Sequence, residues 1–370
     1  MQKVYDLVVV GAGIAGCSIA YTAQKQNKRV LIIDKASTPA TGGSGAAGAF
    51  ISPKLGIESP LLNLTNLAFG YSSNFYKTNF PKYFDQSGIV RLPKDAKDAK
   101  NFEYYKSIID ANSKILTPDE LKQFGVKSQF DSLYFRDGGV CDAQSLCQEM
   151  IKDIEYLQAE VTNIEYNKDI WTINSQIQAK NVVLATGYIG YKDLLEYMGI
   201  NGVWGSRGDF YTNSDIKVCM HQNISVSALH NGIIKIGATH VRSKNPCMAC
   251  DGEPLKELIA NAKELAEISE LKLKETFCAM RSSSRDHFPT IGKIIDTKYM
   301  LENYPNIKKG YNKAPLKHFE NLYVFNGLGG RGFVFAPLMA KWLYEHIFED
   351  KDIDSAVSPD RLFLKWARKL

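Results

Sequence analysis

In Gly11-Ala-Gly13-Ile14-Ala15-Gly16, three glycines recur at the spacing Gly-x-Gly-x-x-Gly, and an acid, Asp34, followed by Lys35, stands 18 residues beyond the last of them. The first glycine allows a tight turn, the second lets a pyrophosphate approach the backbone, and the third lets a helix pack closely on its strand. The phosphates then face backbone N–H groups at the positive end of that helix. An acid at position 34 accepts hydrogen bonds from both hydroxyls of an adenosine ribose and repels a 2′-phosphate, which favours FAD or NAD.

Two further stretches are dense in residues that can act on a ligand. One is Cys278-Ala-Met-Arg281-Ser-Ser-Ser-Arg285-Asp286-His287-Phe-Pro289-Thr-Ile-Gly292. Within it Asp286 and His287 read as a packed, hydrogen-bonded pair in preference to an acid/base couple. The other runs from Leu322 to Pro337 and holds Gly327, Gly329, Gly330, Arg331, Gly332 and Phe333 ahead of a helix from Leu338 to Phe348. A strand, a glycine-rich turn and a helix again aim backbone N–H groups at a ligand, here suited to the flavin ring. Cys247-Met-Ala-Cys250 has the spacing of a metal pair, but no second pair follows, so free thiols are expected, with a metal site or a redox pair as alternatives. No metal is expected.

These residues need elements to position them. Val4 to Val10 reads as a strand, Ile14 to Gln26 as a helix and Arg29 to Ile33 as a second strand, which completes a βαβ unit. Thr41 to Gly48 is too rich in glycine for a regular element, and Gly43, Ser44, Gly45 and Gly48 would let the backbone approach the cofactor. The alternative is a flexible surface loop. Pro60 to Phe80 has helical spacing, and the lysine-rich 81–136, with Lys94, Lys97, Lys100 and Lys106, reads as a solvated face. Gly138 to Asp142 reads as a turn and Ala143 to Ile154 as a helix capped by Asp142. Ala159 to Glu165, with Val161, resembles the strand whose backbone holds the adenine in flavoproteins with such a βαβ unit. Val182 to Gly187 reads as a buried strand whose end, Ala185-Thr186-Gly187, closes the sheet beside the cofactor and raises FAD above NAD. Gly202 to Thr239 alternates as an antiparallel sheet does, and Glu253 to Ser269 reads as an amphipathic helix.

The 370 residues suffice for two domains. No apolar run spans a bilayer and no signal peptide is visible, so a cytoplasmic location and no membrane association are expected. Seven scattered cysteines form no disulfide framework. A net charge of +5 permits an anionic partner such as RNA without demanding one.

Taken together, these stretches resemble the D-amino-acid-oxidase-like FAD-dependent oxidoreductases, which include glycine and sarcosine oxidases. The resemblance is closer to the FAD-dependent half of the bifunctional tRNA 5-methylaminomethyl-2-thiouridine biosynthesis proteins. It is carried by Ser44-Gly45-Ala-Ala-Gly48 with Pro53-Lys-Leu55, by Arg281 to Gly292, and above all by Gly327-Leu-Gly-Gly-Arg331-Gly-Phe-Val-Phe-Ala-Pro337. It covers nearly the whole chain. Met1 stands at the start of the first strand, so the methyltransferase domain of the bifunctional family is expected to be absent. Ala-Ala follows Gly45 where that family often has an Asn.

The resemblance implies an α/β fold, α+β overall, of glycine-oxidase type. Residues 1-80, 141-202 and 276-370 would form a discontinuous Rossmann-like FAD domain on a mainly parallel sheet. Residues 81-140 and 203-275 would form a substrate domain on a mixed or antiparallel sheet. It implies oxidative removal of the carboxymethyl group from 5-carboxymethylaminomethyl uridine at the tRNA wobble position, with a separate methyltransferase acting afterwards. Arg281 stands where the oxidases bind the substrate carboxylate, and Arg331 is the second candidate; a salt bridge or a flavin contact is the alternative for either. Lys308, Lys309, Lys313, Lys317, Lys365, Arg368 and Lys369, with the lysines near 94 to 106, are candidate phosphate contacts. The other readings are a free amino-acid oxidase acting on glycine, sarcosine or a D-amino acid, and a flavin-containing RNA-binding protein with no turnover.

Overall fold

A computed structural model describes residues 3–188, 190–242, 250–311 and 313–370. Cys247 lies outside the described residues, so the expectation for the Cys247–Cys250 pair is met there only through Cys250.

Val4–Val10 and Val30–Asp34 are strands, and Ile14–Lys25 is the helix between them. The first strand pairs in parallel with Val30–Asp34 on one side and with Ile177–Leu184 on the other. His318–Asn326 extends the parallel set beyond Ile177–Leu184, and Glu155–Gln158 extends it beyond Val30–Asp34. Strands covered on both faces need continuous apolar side chains, which is why Leu7, Val8, Val9, Ile32 and Ile33 are all fully buried. Antiparallel strands at Ile164–Asn167, Ile170–Ile173 and Thr290–Ile295 complete an eight-stranded sheet among the described residues.

One face of this sheet is covered by the first helix and Gly332–Phe348, and Pro60–Asn79 packs on the latter. Pro337 inside the last of these has no N–H for the carbonyl four residues earlier, that of Phe333. The buried Tyr76 hydroxyl donates to that carbonyl at 2.9 Å, and Ser72 Oγ donates to the next, Val334 O, at 2.6 Å.

A second, mostly antiparallel sheet, of nine strands among the described residues, centres on Asn201–Tyr211, which pairs with Ile233–Gly237 and with the long strand Lys272–Ser283. The boundaries expected at 202 and 276 fall inside two of these strands. The helix Glu253–Leu265 buries Leu255, Leu258 and Ala262 against this sheet. The 81–136 stretch is more ordered than its composition suggests: it supplies the strands Ile89–Arg91, Ser113–Leu116 and Ser132–Phe135 to this sheet and three short helices. Lys94, Lys97 and Lys100 are exposed on it and Lys106 is half-buried.

Three local expectations are corrected. Gly139–Cys141 is a strand, between Phe50–Ile51 and Phe84–Asp85, where a turn was expected, because its glycines lie flat against neighbouring backbone: a Cβ on Gly139 would come 2.1 Å from Asp85 O. The strand beside Val30–Asp34 is Glu155–Gln158, earlier than the strand expected at Ala159 to Glu165, and Val161 sits in the loop that follows. Its carbonyl accepts the Tyr191 hydroxyl at 2.9 Å. Cys250 is joined to Cys278 by a disulfide, with Cα atoms 5.4 Å apart, where a free thiol was expected. Sequence spacing cannot show this pair, because its two cysteines stand 28 positions apart and meet only in the fold. Cys17, Cys141, Cys147 and Cys219 are buried free thiols.

Candidate functional site

The Gly-x-Gly-x-x-Gly turn is built to leave no room. Gly11 has φ +106°, and a Cβ there would lie 2.4 Å from Ala185 O; one on Gly16 would lie 1.9 Å from Gly11 O. The first helix therefore starts hard against the ends of two parallel strands, and Gly13, its first cap, receives no side-chain hydrogen bond. Ser44 Oγ accepts the Ile14 N–H at 2.8 Å, which brings the Thr41–Gly48 loop over the helix end. Asp34 is oriented by two backbone donors, Ala12 N to Oδ2 at 2.7 Å and Ala36 N to Oδ1 at 2.8 Å. Each oxygen keeps lone-pair capacity for a ribose hydroxyl. Lys35 is exposed at the strand's end.

The glycines of the loop are spaced by contact. A Cβ on Gly45 would meet Ala40 O at 1.9 Å, one on Gly48 the Phe50 ring at 2.6 Å, and one on Gly43 Met280 O at 3.0 Å. The last of these contacts joins the loop to the strand that carries Arg281. Arg207, buried at 4% exposure on the second sheet, reaches the other end of the loop and donates to Ala47 O. Arg207 Nε is also 2.9 Å from Asp209 Oδ1, and its guanidinium lies over the Phe277 ring.

Across the sheet, Ala185-Thr186-Gly187 meets the second glycine-rich turn. Asn326 Nδ2 donates to Gly187 O at 2.8 Å and Asn326 Oδ1 accepts Gly327 N–H at 2.8 Å. Gly327 and Gly329 both have positive φ, and Gly332 stands 3.2 Å, by its would-be Cβ, from the Ile14 side chain. The helix here begins at Gly332, six residues before the expected Leu338, and Phe333 is buried in its first turn. Thus the N-termini of two helices lie side by side. The Thr186 hydroxyl is buried beside them with no hydrogen-bond partner. A crowded glycine turn at a helix N-terminus, an oriented acid and an orphaned buried hydroxyl fit a dinucleotide with an adenosine at Asp34.

Arg281 and Arg331 border this region. Arg281 Nη1 donates to Thr239 O at 3.0 Å, and burial pulls its pKa down to about 10. Arg331 Nη1 donates to Ser52 O at 2.9 Å, and burial likewise lowers its pKa to about 10. A Cβ on Gly330 would lie 3.9 Å from Arg281 Cδ, so the turn and the Arg281 strand are in contact. Among the described residues neither arginine has a carboxylate within ion-pair distance, which removes the salt-bridge alternative for both. A half-buried cation without an anion is ready to receive one, and a carboxylate matches the guanidinium fork. Arg91 was missed in the sequence: its Nη1 donates to Ser52 Oγ at 3.0 Å and to Pro53 O at 2.8 Å.

Asp286 is drawn elsewhere, into a two-point ion pair with Arg361 at 2.8 and 3.1 Å, and His287 is exposed. Asp286 thus has the packed role expected of it, whereas His287, expected to be packed as well, is not. Lys308, Lys309, Lys313, Lys317, Lys365, Arg368 and Lys369 are all exposed, and the turn Pro305–Lys309 packs on the helix Asp360–Ala367. Among the described residues no group of three or more His, Cys, Asp or Glu is placed to hold a metal, and no helix is long and apolar enough to cross a membrane.

A family model described as DAO, FAD dependent oxidoreductase, matches residues 6–346. The chain belongs to this family. Its cofactor is FAD, in keeping with the cradle above. The fold of this DAO-family chain is that of a glycine oxidase from Bacillus cereus, with a TM-score of 0.76 at 18% identity over 94% of this chain and 96% of that one. An iminodiacetate oxidase from Chelativorans sp. BNC1 is equally similar, with a TM-score of 0.76 at 15% identity over 95% and 98%. By sequence, the tRNA 5-methylaminomethyl-2-thiouridine biosynthesis bifunctional protein MnmC of Shewanella amazonensis is 25% identical over 100% of this chain and 60% of its own length. The protein of the same name from Aeromonas salmonicida is 27% identical over 99% and 59%. The chain thus spans about 60% of the length of these curated relatives.

Proposed function

We propose that this FAD-dependent oxidoreductase acts on tRNA in the cytoplasm and oxidises the secondary amine of 5-carboxymethylaminomethyl uridine, or its 2-thio form, at the wobble position. The products are 5-aminomethyl uridine on the tRNA and glyoxylate, and a separate methyltransferase acts afterwards. FAD, when bound, supplies the two-electron acceptor. The carbon between nitrogen and carboxylate loses a hydride and the nitrogen a proton; water adds to the resulting C=N bond, and the C–N bond breaks to give the primary amine and the aldehyde acid.

The observation that carries this reading is Arg281, half-buried, bound only to a backbone carbonyl and facing no acid among the described residues. In this reading Arg281 grips the glycine-like carboxylate and so fixes the neighbouring C–H, since placement is the main demand of hydride transfer. The names of the relatives support the tRNA substrate, and exposed lysines 308, 309, 313, 317 and 365 with Arg368 and Lys369 would meet its phosphates. The wobble base must leave its stack to reach the site.

The test is anaerobic incubation of the holoprotein with tRNA from cells lacking this gene, following flavin bleaching, glyoxylate and the modified nucleoside. Arg281→Ala should keep the cofactor and lose turnover, with kcat/KM down by on the order of 10²-fold or more. Unchanged activity removes Arg281 from the mechanism. The second reading, a free amino-acid oxidase, is favoured by the glycine and iminodiacetate oxidase folds. Bleaching by glycine or sarcosine at low concentration, with none by tRNA, would establish it instead.

A further inference from the structure

Arg91 ends the strand Ile89–Arg91 in the second sheet, and Arg331 lies in the turn before the helix Gly332–Phe348 of the first. They converge on one residue. Arg331 takes the Ser52 carbonyl and Arg91 the Ser52 hydroxyl together with the next carbonyl, Pro53 O. Lys54 follows in the chain, half-buried, its backbone fixed in both directions by the Asn66 side chain: Lys54 N–H donates to Oδ1 at 2.8 Å and Lys54 O accepts from Nδ2 at 3.1 Å.

Among the described residues no carboxylate is within ion-pair distance of any of the three. Asp98 acts on Arg91 only at longer range, and its carboxylate is already taken by the Lys94 N–H and the Tyr105 hydroxyl. Arg91 Nε is buried with no hydrogen-bond partner at all. Cations gathered in a poorly solvated place repel one another, and burying them unpaired is costly unless an anion joins them. The strain shows: burial first, then the neighbouring Arg331 charge, lowers the Arg91 pKa to about 9, and burial with both guanidinium groups lowers that of Lys54. Arg281 stands apart, on another strand and with another acceptor, Thr239 O.

We propose that Arg91, Arg331 and Lys54 form a second anion subsite, which takes a phosphate of the nucleotide whose amine reacts beside Arg281. The inference rests on the tRNA reading and deepens it. A phosphate offers two charged oxygens to two planar forks and a third point to an ammonium, a set that one small carboxylate at Arg281 leaves unfilled. The two subsites together select an amine with an acid group at one end and a phosphate at the other. A free amino acid would leave buried cations unmatched, which is how a polar site rejects a shortened ligand.

The test uses the holoenzyme and three substrates bearing the same carboxymethylaminomethyl uracil: an anticodon stem-loop RNA, the nucleoside 5′-monophosphate and the nucleoside. KM for the RNA and the monophosphate should be lower than for the nucleoside by about tenfold or more. R91M should erase most of that preference through KM, with a smaller change in kcat, and R91K should restore part of it. An equal KM for all three substrates, or the same factor lost on all three in R91M, overturns the subsite. A low KM for RNA alone assigns it to a phosphodiester of the chain, and an equally low KM for the monophosphate to the nucleotide's own phosphate. Independently, inorganic phosphate titrated into the holoenzyme should perturb the flavin spectrum saturably, and R91M should weaken that by about tenfold. If none of the three uracil substrates reacts while iminodiacetate bleaches the flavin, the tRNA reading fails. The phosphate titration then still decides the subsite, and no saturable perturbation in the wild type overturns it.

Discussion

The guanidinium of Arg281 lies across Gly205 of the neighbouring strand: a Cβ built on Gly205 would come 2.1 Å from Nη2 and 2.4 Å from Cζ. The glycine is the floor on which the arginine rests. Gly205→Ala should therefore push the guanidinium aside with the cofactor still bound, since misplacement by about 1 Å is worth about 10²-fold in rate. Steady-state kinetics beside the flavin absorbance of the purified variant would show it. A variant as active as the wild type would mean that Arg281 tolerates displacement.

Asp34 holds Ala12 and Ala36 through their N–H groups at 2.7 and 2.8 Å and is the acid offered to the ribose. Asp34→Ala leaves those donors unmatched and removes the acceptor. FAD should dissociate about 10- to 100-fold more readily, the equivalent of one or two charge-assisted hydrogen bonds. Equilibrium dialysis or flavin fluorescence on dilution measures this directly.

Arg207 and Asp209 form a pair buried to 4% and 7% exposure. Removing one partner strands the other charge, so Arg207→Met should cost about 3 kcal/mol of stability, whereas Arg207→Met with Asp209→Leu should cost much less. Urea unfolding of both variants makes the comparison. A double variant as unstable as the single one would show that Arg207 acts mainly through its hold on Ala47 and its packing on Phe277.

His221 shares a 2.6 Å hydrogen bond with Ser225 Oγ and is held neutral, its pKa well below the usual 6.5, by burial first and then by Arg91, Arg331, His240 and Lys94. The unfolded chain binds the proton at about pH 6.5 and the folded chain only lower, so stability is full above about 6.5 and falls as the pH drops below it. His221→Asn should flatten this acid limb by up to about 1.4 kcal/mol per pH unit. Unfolding free energies at pH 5.5 and 7.5 give the two slopes. His240, also depressed, and by burial first, keeps part of the slope in the variant.

What the sequence made legible was local. The βαβ unit, the crowding of Gly16 against Gly11, the Asp142 cap on Ser145 N and the antiparallel alternation are set by nearby residues, and all are present. What escaped depends on partners far along the chain. Arg91 looked like one more basic residue in a lysine-rich stretch until the sheet brought it to Ser52, 39 positions earlier. The Cys250–Cys278 link and the strand at Gly139–Cys141 need the same kind of long-range pairing. The helix expected from Leu338 begins at Gly332 with Pro337 inside it, and Tyr76, far along the chain, meets the carbonyl that the proline leaves without a donor.

The grip of Arg207 on the Ala47 carbonyl has a meaning for the lineage of such enzymes. A residue rooted in the sheet that would choose the substrate has its hand on the loop that cradles the cofactor. Exchanging that sheet for one from another oxidase, in order to change what is oxidised, would therefore also loosen the cradle. New specificity should be easier to reach by altering side chains upon the sheet than by transplanting it whole.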